Sequence, residues 1–207
     1  MGYICVAMLP KASPDSPPMF SNKLLDLFSR THPAAVPIIY VPIAMGLFWY
    51  GAVHRAVGVP LSLAGFAAGL FIWTFVEYWA HRKFFHWIPN NAFGHRMHFI
   101  LHGVHHDWPN DRYRLVMPPG ASLAALPFFF AAFWLLLREH SYATFSGFIV
   151  GYMAYDLLHY YIHHFAPQHP WFKKLRRHHM IHHFKHEAQH RKFGVSSTLW
   201  DHVFRTY

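Results

Sequence analysis

Two histidine triplets in this chain share one spacing: His102-Gly-Val-His105-His106 and His179-Met-Ile-His182-His183. On a helix, positions i, i+3 and i+4 share a face. Each triplet can therefore aim three imidazoles at one small volume. Neutral imidazole is the commonest side-chain ligand for metals, so the chemistry this pattern suits is metal binding. His159 and His163 add a pair at i, i+4. His81 and His86 are five apart, about 140° around an α-helix, and converge only where the helix ends between them. In chain order the pattern is HxxxxH, HxxHH, HxxxH, HxxHH. Ten imidazoles exceed the four to six donors that one first-row ion takes. They suit two ions with about five nitrogens each, leaving one position open on each six-coordinate ion. Nitrogen donors accommodate Fe, Zn, Cu or Ni, so the spacing leaves the metal open. A carboxylate di-iron site would need a glutamate from each of four helices, and the chain has Glu77, Glu139 and Glu187 alone.

The elements that must position these rings are apolar. Of 207 residues, 54% are hydrophobic and 13% charged, where soluble proteins carry roughly a quarter charged. Ala34–Val53, Leu61–Ala80, Ala121–Leu137 and Tyr142–Tyr161 are each long enough, or nearly so, to cross a hydrocarbon core about 30 Å thick. Pro37 and Pro42 fall in the first stretch, and membrane spans tolerate proline. The expected fold is an all-α integral membrane protein, with four transmembrane helices in two hairpins. Residues 1–32 read as a loose leader, Pro-rich around Pro14, Pro17 and Pro18, ending in a short helix at Lys23–Ser29. Residues 33–207 read as one domain, with a helical cap from residues 81–120 and 162–207.

Charge orients the spans. The leader, the 81–120 loop and the tail hold 3, 5 and 8 Lys or Arg, against Arg55 and Arg138 in the two short turns. The positive-inside rule places the leader, cap and both termini in the cytosol. All ten histidines then lie near one membrane face, whereas a metal transporter, the alternative from a different functional class, would set its ligands near mid-membrane. The net charge of +9 reads as topological, and no nucleic-acid partner is expected. The single Cys5 excludes an internal disulfide and thiolate ligation. The opening residues have neither the basic region nor the long apolar run of a cleaved signal peptide.

Ligating imidazoles need partners on their other nitrogen. Asp156, one turn before His159, is a candidate for that supporting role, or else a cap or partner for Arg or Lys; Asp107, Asp201 and Glu77 are further candidates. His98 shares the face of His102. His95, His164, His169, His178, His186, His190 and His202 read as surface or supporting residues. The basic run Lys173, Lys174, Arg176 and Arg177 suits anionic headgroups or an acidic electron donor.

The four boxes in this order resemble the membrane fatty acid hydroxylase superfamily, which includes sterol desaturases and carotenoid hydroxylases. Finer pieces are similar to its fatty acid 2-hydroxylase branch: Glu77-Tyr-Trp-Ala-His-Arg-Lys-Phe-Phe-His, His102-Gly-Val-His-His-Asp-Trp-Pro-Asn-Asp, Arg114-Leu-Val-Met-Pro-Pro, Tyr155-Asp-Leu-Leu-His-Tyr-Tyr-Ile-His and Phe193-Gly-Val-Ser-Ser-Thr-Leu-Trp-Asp. The likeness covers about residues 34–207. It implies O2-dependent, di-iron hydroxylation of a long acyl chain at C2, as free acid or sphingolipid N-acyl group; a sterol or carotenoid hydroxylase or desaturase is the alternative. It implies as metal ligands His81, His86, His102, His105, His106, His159, His163, His179, His182 and His183, holding two Fe ions, with Zn able to occupy the same pocket. The residues before the first span are too few for a cytochrome b5 domain and lack His-Pro-Gly-Gly. A separate donor, cytochrome b5-like or ferredoxin-like, is therefore expected. The membrane would be the endoplasmic reticulum in a eukaryote and the inner membrane in a bacterium.

Overall fold

Helix α7, Ser141–His164, is the axis around which the chain packs, with buried residues on every turn from Ser141 to His163. The computed structural model describes residues 15–207, so Cys5 lies outside the described residues. Those residues form helices and loops, with no strand among them. Around α7 stand α2 (Ala35–Trp49), α3 (Val59–Trp79) and α6 (Pro119–Leu137). Their shared core joins Val36, Tyr40 and Ala44 of α2 to Phe145, Phe148, Ile149, Tyr152 and Ile162 of α7.

Close approach makes this packing possible. A Cβ on Gly69 of α3 would run into the Thr144 carbonyl, and one on Gly147 of α7 into the Phe66 carbonyl. The two backbones thus touch where both helices lack side chains, as small residues permit between apolar helices. On the other flank, Ser146 Oγ donates to the Ala44 carbonyl at 2.7 Å, returning a buried hydroxyl to the backbone.

Three helical stretches are long and apolar enough to cross a membrane: Ala35–His54, Val59–Phe85 and Pro119–His164. The third doubles back at a 3-10 turn, Arg138–His140, where Arg138 adopts φ 50°. Across that turn Phe133 of α6 meets Phe145 and Phe148 of α7 at 5.4 and 5.3 Å between ring centres. Outward faces carry exposed Ile38, Met45, Phe71, Phe128 and Leu136. Apolar side chains all round a helix are the mark of a lipid or fully buried setting.

The remaining elements sit at one end of this bundle. They are α1 (Lys23–Phe28), α4 (Ala92–His98), α5 (Val104–Asp107), α8 (Pro170–Phe184) and α9 (Leu199–Val203). Two π-helical turns, Ala80–Phe85 and Phe99–Gly103, join α3 and α5 to them. The described part of the leader is not loose. Ser16 donates from N and Oγ to Asp111 at 2.9 and 2.6 Å. Asp26 of α1 pairs with the buried Arg114 at 2.7 Å, which also donates to Ser29 Oγ at 2.8 Å. The prolines open the chain locally, but partners 85 or more residues away tie it down.

Candidate metal centre

The ten histidines converge as two groups of five nitrogens. His81, His86, His102, His106 and His182 form one cluster; His105, His159, His163, His179 and His183 form the other. Within each, the facing atoms lie within 4.8 Å of one another. The clusters are neighbours: the rings of His106 and His183 stack across the divide at 4.2 Å.

Each triplet splits between the clusters instead of serving one volume. Positions i and i+4 of a helix are about 40° apart, while i+3 and i+4 are about 100° apart. His102 and His106 therefore enter the first cluster and His105 the second. His179 and His183 enter the second and His182 the first. His159 and His163, one turn apart on α7, stay together. His81 and His86 also stay together, but not because the helix stops between them. It continues as a π-turn, Ala80–Phe85, whose i→i+5 bonding widens the coil and brings residues five apart to one side.

The donor set fits a cation in each cluster. His179 Nε2 has three Nε2 neighbours, those of His159 at 2.8 Å, His163 at 2.9 Å and His183 at 3.0 Å. One ring nitrogen carries either a proton or a lone pair, so hydrogen bonds cannot satisfy three such contacts; a shared positive ion can. In the first cluster His102 Nε2 lies 3.1 Å from His81 and 2.9 Å from His106. An ion about 2.1 Å from each nitrogen would set donors about 3.0 Å apart at right angles, and about 3.4 Å apart in a tetrahedron. The spacings of 2.8 to 3.1 Å between these nitrogens are those of donors that could share one ion.

Electrostatics keeps these rings neutral. Burial, reinforced by the neighbouring imidazoles, holds His102, His105, His106, His179 and His183 well below the ordinary imidazole range. Burial pushes His182 down to about 3. Neutral rings are the form that ligates.

Behind the rings, the supporting groups differ from those the spacing suggested. Asp156 does not face an imidazole: it accepts from Met117 N at 3.2 Å and Tyr152 OH at 3.2 Å. Met117 precedes two prolines, which have no N–H of their own, and the carboxylate gathers the free amide there. His81 Nδ1 donates instead to the Phe193 carbonyl at 2.6 Å, and His182 Nδ1 to the Arg191 carbonyl at 2.7 Å. His178, expected at the surface or in support, is buried and meets Asp201 at 3.0 Å. His95, His169, His186, His190 and His202 are exposed. His98 is half-buried below Gly103, outside both clusters. Backbone carbonyls as ring partners have no signature in the sequence. Of the other carboxyl groups named for support, Asp201 and Glu77 hold the backbone of residues 193–196 and not a ring of either cluster.

A cavity of about 320 Å3 opens onto both clusters. His102, His105 and His159 line it together with Asp156 and Arg114. Met19, Phe28, Phe85, Leu101 and Val116 supply apolar wall. Part of that wall comes from the docked leader.

Comparison with known proteins bears on these residues. Residues 66–206 match the fatty acid hydroxylase family model. The chain is 37% identical over 202 residues to a dihydroceramide fatty acyl 2-hydroxylase of Arabidopsis thaliana, covering 95% of this chain and 82% of that one. It is 37% identical over 196 residues to the ceramide very long chain fatty acid hydroxylase of Saccharomyces cerevisiae, covering 93% of this chain and 50% of that protein. A fatty acid 2-hydroxylase of Rattus norvegicus is 36% identical over 209 residues, covering 91% and 56%. The chain thus spans about half the length of the yeast relative. In structure it resembles full-length scs7p, of which only the hydroxylase domain is visible, with a TM-score of 0.83 at 34% identity over 91% of this chain and 71% of that one.

Proposed function

The chain belongs to the fatty acid hydroxylase family, and on that premise we propose that it hydroxylates long acyl chains at C2, as fatty acid or sphingolipid N-acyl group. The observation that carries this reading is the cavity, lined mainly by apolar side chains, that also reaches His102 of the first cluster and His105 and His159 of the second. An acyl chain lies along such walls at about 0.8 kcal/mol per buried methylene. The relatives named above carry the same acyl chemistry in their names.

In this reading the first cluster and the second each hold one iron, through Nε2 of the ten histidines. When bound, the pair supplies the activation of O2, one oxygen atom going to C2 and the other to water, with two electrons from a separate donor. The residues do the rest. His81 and His182, each donating Nδ1–H to a carbonyl, present Nε2 in a fixed tautomer. Met19, Phe85 and Leu101 keep water from the reacting carbon. Asp156 holds the Met117 amide and so sets the wall beside His159.

Four spans follow if the 46-residue stretch Pro119–His164 counts as two folded at Arg138, with residues 33–207 as one domain. Sixteen of eighteen Lys and Arg on the histidine side favour a cytosolic cap. The test is lipid analysis of cells lacking 2-hydroxylated lipids, expressing wild type or His182→Ala. Wild type should yield 2-hydroxy acyl chains and the variant none. Product hydroxylated elsewhere on the chain, or equal product from both, would overturn the assignment.

A further inference from the structure

Two buried carboxylates touch no imidazole of either cluster, yet both grip the segment that aims two of the rings. Asp201 has no exposed surface. It accepts from Phe193 N at 2.9 Å, Gly194 N at 2.8 Å, His178 Nε2 at 3.0 Å and Thr206 Oγ1 at 2.7 Å. Glu77, near the end of α3, accepts from Val195 N at 2.7 Å, Ser196 N at 2.8 Å and Ser196 Oγ. Four consecutive amides, Phe193 to Ser196, are thus held by the oxygens of two buried carboxyl groups, and four such bonds in a row leave the backbone little freedom. Upstream, Lys192 turns the chain at φ 62° and donates its N–H to the Thr206 carbonyl at 2.8 Å.

The carbonyls on either side of Lys192 are the ones that matter. Phe193 O takes His81 Nδ1–H, and Arg191 O takes His182 Nδ1–H. Both rings belong to the first cluster, 4.7 Å apart at their centres. In the second cluster, Nδ1 of His105, His179 and His183 is buried with no partner among the described residues, and His163 turns to the Pro109 carbonyl instead. The 191–196 segment therefore serves one cluster.

We propose that Asp201 and Glu77 are positioning residues for the first cluster alone: they clamp residues 193–196 so that two backbone carbonyls fix the tautomer and direction of His81 and His182. This rests on the two-ion reading above and adds that the ions depend on different supports. Partners of ligating imidazoles typically change metal affinity about 10–100-fold. In Asp201 each oxygen accepts from one clamped amide, so the NH2 of Asp201→Asn opposes Phe193 N–H or Gly194 N–H whichever way it turns and should weaken the first ion by that factor. Glu77→Gln should act less, because one oxygen still accepts from both amides while the new NH2 can donate to Ser196 Oγ. Gly194→Ala keeps both carboxyl groups in the chain but drives a Cβ into the Ser197 carbonyl and against Asp201 Oδ2, opening the clamp by steric pressure.

The experiment is metal content and chelator competition on detergent-solubilised full chain, loaded with ferrous iron or zinc. Wild type should hold two ions per chain. Asp201→Asn and Gly194→Ala should each release one ion about 10–100-fold more readily and keep the other at wild-type affinity. Adding His182→Ala to Asp201→Asn should cost no second ion; adding His183→Ala should cost both, as coupled and independent sites require. Two ions at wild-type affinity in Asp201→Asn and Gly194→Ala would overturn the proposal. So would equal loss from both clusters, the mark of general unfolding; Glu77→Gln, the mildest change, supplies the answer if the others do not fold. Fewer than two ions in wild type would instead overturn the two-ion reading itself.

Discussion

The two histidine clusters use the same atom of the same side chain five times each, but they are aimed by different means. In the second, four of the five rings come in i, i+4 pairs, His159 with His163 on α7 and His179 with His183 on α8. The register of a regular helix is enough to bring such pairs together. In the first, His102 and His106 form one such pair, but His81 and His102 sit in π-turns, His86 ends one, and His182 leaves α8 about 100° from His183. Irregular backbone gives a ring more directions to take, and two of these rings are steadied by carbonyls. All five of the second are buried, while His86 of the first is half-buried. Regular helix thus supplies direction through its register, whereas irregular turns supply reach and lean on the carbonyls of one segment, residues 191–193.

The largest effects should come from two neighbours that serve different clusters. His182→Ala and His183→Ala should each cut 2-hydroxy product by on the order of 100-fold or more, above the usual effect of a supporting group. Each should leave one ion per chain, and the surviving ions should differ in chelator sensitivity. If both variants lose the same ion, the division into two clusters is wrong.

Inserting one alanine after Lys83 comes next. It would set His86 six residues from His81 and, as a further helical residue, swing it by about 100°. The first ion should bind about 10–100-fold more weakly, as for a mis-aimed ligand, with the second unaffected in the same titration. Unchanged binding of both would show that the wide turn is incidental.

Asp156→Asn should be smaller and should spare both ions. Weakening the buried hydrogen bonds that Asp156 accepts from Met117 N and Tyr152 OH costs roughly 1–3 kcal/mol, read as a lower Tm, with activity down a few-fold through the cavity wall. Loss of the second ion in this variant would restore Asp156 as a support for His159.

The smallest effect concerns the leader, remote from either cluster. Burial raises the Asp26 carboxyl, but hydrogen bonds from Arg114 and Met19 outweigh it and hold it below its ordinary value. With a folded value below the unfolded one near 4, the pair stabilises the fold above about pH 4. That contribution is lost as pH falls through the folded value. Asp26→Asn should flatten the acid side of a stability-versus-pH curve and leave metal content at neutral pH unchanged.

The convergence of the histidines was legible because helical spacing is written residue by residue: His159/His163 and the HxxHH triplets state their own geometry. The apolar stretches were legible for the same reason, since length and lack of charge suffice. What could not be read is where pairing depends on distant backbone. The turn at Ala80–Phe85 leaves no pattern in its side chains, so His81 and His86 seemed to require a helix end. The splitting of each triplet was latent in the 100° between i+3 and i+4, yet only the partners of each ring determine which side it joins. The prolines of the leader signal local openness. Nothing nearby announces that Asp111 and Arg114 will hold Ser16 and Asp26.

Gly69 lies twelve residues before His81, and Gly147 twelve before His159. At 1.5 Å per residue, each glycine is about 18 Å down its helix from the imidazole. The bare contact between α3 and α7 is therefore a fulcrum, and the two helices are lever arms whose tips carry rings of opposite clusters. A single methyl group at the pivot would spread the arms and change the gap between the tips. The distance over which two ions could cooperate is thus calibrated by glycines that never come near them.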